Sequence, residues 1–164
     1  MIIVLNGPLG IGKSTLAESI DRCAMLDGDH LVAANPRSSD PREHLHSTIA
    51  LLVAHHRRFG YLHFVVDHIW TSPEELADLR RRLVGIDDDI RCFLLMLPAD
   101  ENLRRIERRA SARALDEREF EQRTFEEESK ALARSPGVDL GEPFDVSAPP
   151  PELVAKMLGR LGLR

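Results

Sequence analysis

The sequence predicts an α/β domain built on a mostly parallel sheet. Three observations carry that expectation. Short apolar runs alternate with longer segments of helical periodicity. A loop rich in glycine joins the first apolar run directly to an amphipathic segment. The chain has 164 residues, 43% apolar and 30% charged, which fits one domain over residues 1–164 with a real core and leaves little for a second.

The elements follow in order. Met1 to Leu5 is a continuous apolar run, the pattern of a strand buried on both faces. Asn6 to Gly12 is the Gly/Pro-rich loop, and Ser14 to Cys23 reads as a helix with Leu16, Ile20 and Cys23 on one face. Ala24 to Asp27 is a short second strand, and Asn35 to Asp40 a loop between prolines. From Arg42 to Phe59, Leu45, Ile49, Leu52, Val53 and His56 keep helical spacing. Leu62 to Asp67 is the third strand. Ser72-Pro73-Glu74-Glu75 starts the next helix, with Ser72 as N-cap, Pro73 at the first helical position and Glu75 closing a capping box. Leu76, Leu79 and Leu83 form its inner stripe. Ile90 to Leu97 is the fourth strand, and Leu103, Ile106 and Ala110 mark the helix after it. Ser111 to Lys130 is dense in charge of both signs and reads as solvated. Pro143 to Val146 is the last strand, and Pro149 to Leu161 the closing helix.

Composition narrows the function. The net charge of −5 disfavours a general nucleic-acid binder. No apolar run approaches the ~20 residues that span a bilayer, so no membrane association is expected. The first residues carry no charged region ahead of an apolar one, so a cytoplasmic chain is expected. Cys23 and Cys92 both lie in apolar patterns and read as free thiols rather than a disulfide framework. Of the 22 basic residues, only Lys13, Lys130 and Lys156 are lysine. A lysine at a special position therefore stands out, and Lys13 is at one.

Gly7-Pro8-Leu9-Gly10-Ile11-Gly12-Lys13-Ser14 matches G-x-x-x-x-G-K-[ST]. A polyphosphate needs many donors to offset its desolvation, and such a loop points successive backbone N–H groups inward. The helix N-terminus that follows adds partial positive charge. Residues Gly7 to Thr15 are thus the expected nucleotide site, with Lys13 on the β- and γ-phosphates and Ser14 on Mg²⁺. The alternative is a glycine-rich turn that matches by chance. The strand before it and the helix after it argue for the phosphate loop.

Phosphoryl transfer also asks for a carboxylate near the metal and a group to orient the acceptor hydroxyl. Ligands of open parallel sheets bind beyond the carboxyl ends of the strands. Asp27-Gly28-Asp29-His30 follows the second strand there, and Asp67-His68 ends the third. Asp27 reads equally as a turn residue beside Gly28. Asp29 is expected to be functional, and Asp67 to hold the metal or its water. Which of the three is base and which is metal-linked is left open by the residues alone. His30 and His68 neighbour these acids, as candidate substrate contacts or as packing residues. His44 and His46 are two apart and face differently on a helix, so no zinc site is expected. Arg105 and Arg109 are four apart on one helical face. They read either as part of a solvated face or as arginines of a lid that closes over the terminal phosphate.

Together these features resemble the small P-loop kinases related to shikimate kinase, gluconate kinase and chloramphenicol phosphotransferase. The opening Ile-Ile-Val-Leu-Asn-Gly-Pro-Leu-Gly-Ile-Gly-Lys-Ser-Thr looks most like the tunicamycin-resistance-type proteins. Leu26-Asp27-Gly28-Asp29-His30-Leu31 is similar to the Asp-Gly-Asp of gluconate and adenylylsulfate kinases, which would put Asp29 near the acceptor hydroxyl and metal. Arg105-Ile106-Glu107-Arg108-Arg109 is similar to the Arg-Leu-x-x-Arg that opens their lid. The resemblance implies a P-loop NTPase three-layer α/β/α sandwich with a five-stranded parallel sheet in the order 2-3-1-4-5. It also implies an Arg-bearing lid over about 105–125 and an adenine-contacting loop at about Val146 to Pro150. Shikimate kinase's glycine triplet after the third strand is replaced by Asp67-His68-Ile69-Trp70, and the Thr-Gly-Asp of nucleoside-monophosphate kinases is missing.

The expected function is ATP- and Mg²⁺-dependent phosphorylation of a hydroxyl on a small molecule, a metabolite or an antibiotic, by a monomer or homodimer. Lys13, Asp29, Arg105 and Arg109 carry the chemistry, and His30, Arg37, His68 and Trp70 line the acceptor site. The competing expectation is a nucleotide-binding switch or regulatory NTPase with no small-molecule acceptor.

Overall fold

The computed structural model describes residues 1–33, 36–110, 115–135 and 139–163. Five strands form one all-parallel sheet: β1 (Ile2–Asn6), β2 (Cys23–Asp27), β3 (His63–His68), β4 (Ile90–Met96) and β5 (Glu142–Asp145), in the order β2-β3-β1-β4-β5. That is the 2-3-1-4-5 order expected above. Between them run α1 (Lys13–Glu18), α2 (Gly28–Leu31), α3 (Pro41–Arg58), α4 (Pro73–Leu83), α5 (Ala99–Ala110), α6 (Leu115–Ala133) and α7 (Pro150–Leu161).

Side chains alternate across each strand, so one apolar run feeds two cores. Ile3 and Leu5 of β1 face Leu16 of α1 and Leu153, Met157 and Leu161 of α7. Ile2 and Val4 face Leu45, Ile49 and Val53 of α3 and Leu76, Leu79 and Leu83 of α4. Every residue of β1 is buried, as a central parallel strand covered on both faces must be.

The helix starts follow their chemistry. Ser72 accepts from the Glu75 N–H at 3.4 Å with Pro73 at the first position. Asp40 does the same for Glu43 at 3.0 Å, so α3 begins at Pro41, one residue before the expected start. In α3 the inner stripe carries His46 rather than His56. The first helix is the largest departure: it ends at Glu18, not Cys23. Ser19 and Ile20 donate to Leu16 and Ala17, tightening the last turn. Arg22 then adopts φ +58° and swings the chain into β2, with Ile20 still buried. Of the loop expected over 35–40, residue 35 lies outside the described residues.

The expected solvated stretch is helical from 115 onward, and one of its faces is buried. Phe125 and Glu121 lie inside, next to α5. Phe120 of the same helix stays 57% exposed, so the inward face is the one that carries Glu121 and Phe125, four residues apart. Among the described residues, no helix is long and apolar enough to cross a membrane.

Candidate functional site

The carboxyl ends of β1, β2 and β3 bring Asp27, Asp67 and His68 together below the Gly7–Gly12 loop. The register sets Asp27 beside Asp67, Leu5 beside Asp67, and Asn6 beside His68. Asn6 is fully buried and fully bonded. Its amide donates to the Trp70 and Leu140 carbonyls at 2.9 and 3.0 Å and accepts from the Trp70 N–H at 2.8 Å. It thereby ties the segments after β3 and before β5 to the root of the loop.

The loop Gly7–Gly12 leads into α1. Gly10 has φ +79°, and a Cβ there would come within 2.5 Å of Ile106, so α5 rests directly on the loop. The Lys13 ammonium curls back and donates to the Gly7 and Pro8 carbonyls at 2.7 and 3.2 Å. Burial pulls its pKa down, against the opposing pull of Glu128, Asp29, Asp67 and Asp27. All four carboxylates therefore act on the ammonium.

The Ser14 hydroxyl donates to the Asp67 carboxylate at 2.9 Å. Asp67 is 4% exposed, and burial pushes its pKa up; Ser14 and Lys13 offset this in part, while Asp27 and Asp29 add to it. Burial thus outweighs what Ser14 and Lys13 give this carboxylate. Among the described residues no three His, Cys, Asp or Glu side chains form a metal cage. One carboxylate and one hydroxyl beside a phosphate loop is nonetheless a donor set that suits Mg²⁺, which keeps several waters and takes phosphate oxygens.

Asp27 proves to be a capping residue. Its carboxylate accepts from the Asp29 and His30 N–H groups at 2.9 and 3.4 Å and starts α2 at Gly28. That turn presents Asp29, whose carboxylate accepts from His68 Nδ1 at 2.8 Å. The hydrogen bond and charge of His68 outweigh burial and hold the Asp29 carboxyl below its ordinary value, with Lys13 and His30 assisting. A Cβ on Gly28 would stand 2.7 Å from the His68 Cβ, so only glycine lets the two strand ends approach this closely.

Two cavities flank this centre. One, of about 420 Å³, lies between Gly10–Gly12, Thr15, Arg105 and the Val146–Pro150 segment. Arg105 donates to the Val146 carbonyl at 2.9 Å and the Ile11 carbonyl at 3.5 Å, bridging the two walls. The other, of about 690 Å³, is lined by Asp29, Val32, Arg37, Pro41 and His44. Of the residues expected at the acceptor site, Arg37 lines this cavity, and His68 reaches Asp29 beside it. His30 is exposed, 3.2 Å from Asp27. His68 and the buried Trp70 line a third, smaller cavity of about 240 Å³ that shares Val32 and Pro41 with the second, with the Trp70 ring edge-on to His68 at 5.3 Å. The Arg109 side chain and residues 111–114 of the expected lid lie outside the described residues.

Glu128 and His46 take roles that their own positions in the sequence do not signal. Glu128 of α6 accepts from the Leu9 N–H at 2.6 Å, inside the Gly7–Gly12 loop. Burial pushes its pKa up, with the Leu9 N–H and Lys13 pulling the other way. Phe125 was the available signal: Glu128 is three residues on, along the same buried face. His46 is buried between Asp78, 2.8 Å from Nδ1, and the Trp70 indole, 3.1 Å from Nε2. Indole N–H only donates, so Nε2 accepts and Nδ1 carries the proton toward Asp78.

No family model and no curated protein sequence matches the chain. Among solved structures, it is similar to a gluconokinase from Sinorhizobium meliloti 1021, with a TM-score of 0.69 at 20% identity over 98% of this chain and 90% of that one. It is similar to the same degree to the Deinococcus radiodurans tunicamycin resistance protein, with a TM-score of 0.69 at 18% identity over 99% of this chain and 96% of the other. With its all-parallel sheet in the order β2-β3-β1-β4-β5 and near full-length overlap with both, the chain has the P-loop kinase-like fold.

Proposed function

We propose that the protein transfers the terminal phosphoryl group of ATP to a hydroxyl of a small molecule. The observation that carries this is the meeting of three groups at one sheet edge: Lys13 on the loop, the Ser14–Asp67 pair, and the Asp29–His68 pair. A binding loop alone needs only the first two. The third faces an open cavity and has no structural duty that a simple nucleotide binder requires. The similarity to a gluconokinase supports the reaction class and leaves the acceptor to be identified.

In this reading the adenosine enters the cavity beside Arg105 and Val146–Pro150, and the phosphates pass along Gly10–Thr15 toward Lys13. Ser14 and Asp67 hold Mg²⁺, which neutralises charge on the β- and γ-phosphate oxygens when bound. The acceptor occupies the cavity lined by Asp29 and Arg37, with its hydroxyl against the Asp29 carboxylate. The low basicity of Asp29 is adequate there. Phosphoryl transfer has a loose transition state, so orienting the hydroxyl matters more than stripping its proton early. His68 fixes the carboxylate's direction through Nδ1. Arg105, and Arg109 on the same helix, supply further positive charge as the segment closes.

A panel of hydroxyl compounds assayed for ADP release, with acceptor-free turnover as background, tests the reading. Stimulation by one acceptor class, abolished by Lys13→Ala, is the expected result. ATP turnover that no acceptor stimulates would instead indicate a regulatory NTPase.

A further inference from the structure

Leu9 is held at both of its polar groups by the helices above it. Its carbonyl accepts from the Asn102 amide of α5 at 2.9 Å, and its N–H donates to Glu128 of α6 at 2.6 Å. The second contact has the length of a charge-assisted bond. It places a carboxylate where a phosphate-binding loop offers its N–H groups to phosphate oxygens.

The position along the loop is informative. The cavity assigned to the adenosine is walled by Gly10–Gly12 and Thr15, on the side of Arg105 and Val146. Leu9 is not among the walls of that cavity, and its N–H follows directly on the Pro8 carbonyl that the Lys13 ammonium holds at 3.2 Å. Lysine of this motif reaches the β- and γ-phosphates. The Glu128 carboxylate therefore sits at the terminal-phosphate end of the loop. A diphosphate stops short of that place, and a triphosphate brings further negative charge into it and competes for the same N–H.

We infer that Glu128 is a specificity-determining residue that sets the balance between nucleoside tri- and diphosphate, holding the place of the terminal phosphoryl group on the Leu9 N–H until a triphosphate displaces it. This rests on the nucleotide-binding reading above and extends it. In the nucleotide-free protein the contact keeps a half-buried N–H paired. Binding of a triphosphate must release Glu128, and with it the grip of α6 on the loop.

The test is calorimetric titration of ADP and of a β,γ-imido ATP analogue, each with Mg²⁺, into the wild type, Glu128→Gln and Glu128→Ala. Glutamine keeps an acceptor for the Leu9 N–H and removes the charge; alanine removes both. Each variant should bind the triphosphate about tenfold more tightly while its ADP affinity stays within about twofold, since only the triphosphate meets the lost charge. Equal shifts for both nucleotides, or none, overturn the inference while leaving the nucleotide site intact. A wild type that binds neither nucleotide overturns the phosphate-loop reading and this inference with it. The Leu9 amide resonance of the wild type gives a readout free of any folding defect in the variants. It should stay in place with ADP and move with the triphosphate analogue; an equal response to both contradicts the inference.

Discussion

The titratable groups around the Gly7–Gly12 loop and those away from it are built to opposite rules. Around the phosphate loop, Lys13 is pulled toward its neutral form, and Asp67 and Glu128 are pushed toward theirs, in each case chiefly by burial. Away from it, the His46 hydrogen bond and Arg82 hold the Asp78 carboxyl well below the usual carboxylate range. At the other edge, burial pushes Asp87 up, but the Met1 ammonium, the Asp89 N–H and Arg57 outweigh it and leave the carboxyl low. The second group is complete in the folded chain. The first is short of compensation, although it contains charges of both signs. That contrast is expected where a site is organised for a ligand rather than for stability.

The largest effect is expected at Lys13. Lys13→Ala should reduce turnover on the order of 10²-fold or more, while thermal melting of the nucleotide-free protein stays close to that of the wild type, because the ammonium bonds only to loop carbonyls there. Coupled ADP-release kinetics beside a melting curve check both halves. Asp29→Asn should follow, with phosphoryl transfer down by roughly 10²-fold and ATP affinity by calorimetry nearly unchanged, since Asp29 lines the second cavity and not the one beside Arg105. Loss of ATP affinity instead would move Asp29 from the acceptor to the nucleotide.

On the completed side, His46→Leu should leave the Trp70 indole N–H buried without an acceptor and remove a donor from Asp78. A stability loss of about 1–3 kcal/mol in urea unfolding is expected, with ATP affinity unaffected. A smaller effect is expected at Arg105, whose guanidinium bridges the Ile11 and Val146 carbonyls along the nucleotide cavity. Arg105→Ala should weaken ATP binding as well as lower kcat. An effect on kcat alone would mean that the side chain leaves those carbonyls to act on the transferring group.

The two groups also differ in how far they could be read in advance. The loop from Gly7 to Thr15 is contiguous, and its chemistry demands glycines, a lysine and a hydroxyl at set spacing, so position along the chain suffices. Asp29 and Asp67 were recognisable because each follows an apolar run at a strand's carboxyl end. The Asp29–His68 pair was not, since it depends on the β2–β3 register and on Gly28 allowing close approach. Glu128 lies more than a hundred residues from Leu9, in a helix whose mixed charges read as a solvated face. Nothing local distinguishes it from Glu126 or Glu127; only the packing of Phe125 selects it. His46 differs from His44 in the helical face alone, and the partner that fixes its tautomer is on another strand's exit. The fold was legible because periodicity and strand count are local properties. The acceptor side was less so, because its contacts are made between elements distant in sequence.

Acid dependence follows from the same contrast. Asp67 has a native pKa above its unfolded value, about 4. It binds its proton more readily when folded, so its ionised form costs stability above that native value, and the cost fades as pH falls toward about 4. Asp78 is depressed, so its contribution is present above its unfolded pKa and is lost as pH falls through the native one. The direct test is to compare Asp67→Asn and Asp78→Asn in nucleotide-free protein by thermal melting at pH 7. Asparagine at 67 can still accept from Ser14 while removing the uncompensated charge. Asp67→Asn should melt above the wild type and lose its stabilisation by ATP with Mg²⁺, whereas Asp78→Asn should melt below the wild type and keep that stabilisation. If Asp67→Asn instead melts below the wild type by as much as Asp78→Asn, the phosphate-loop cluster is already complete without a ligand, and the account is wrong at its centre.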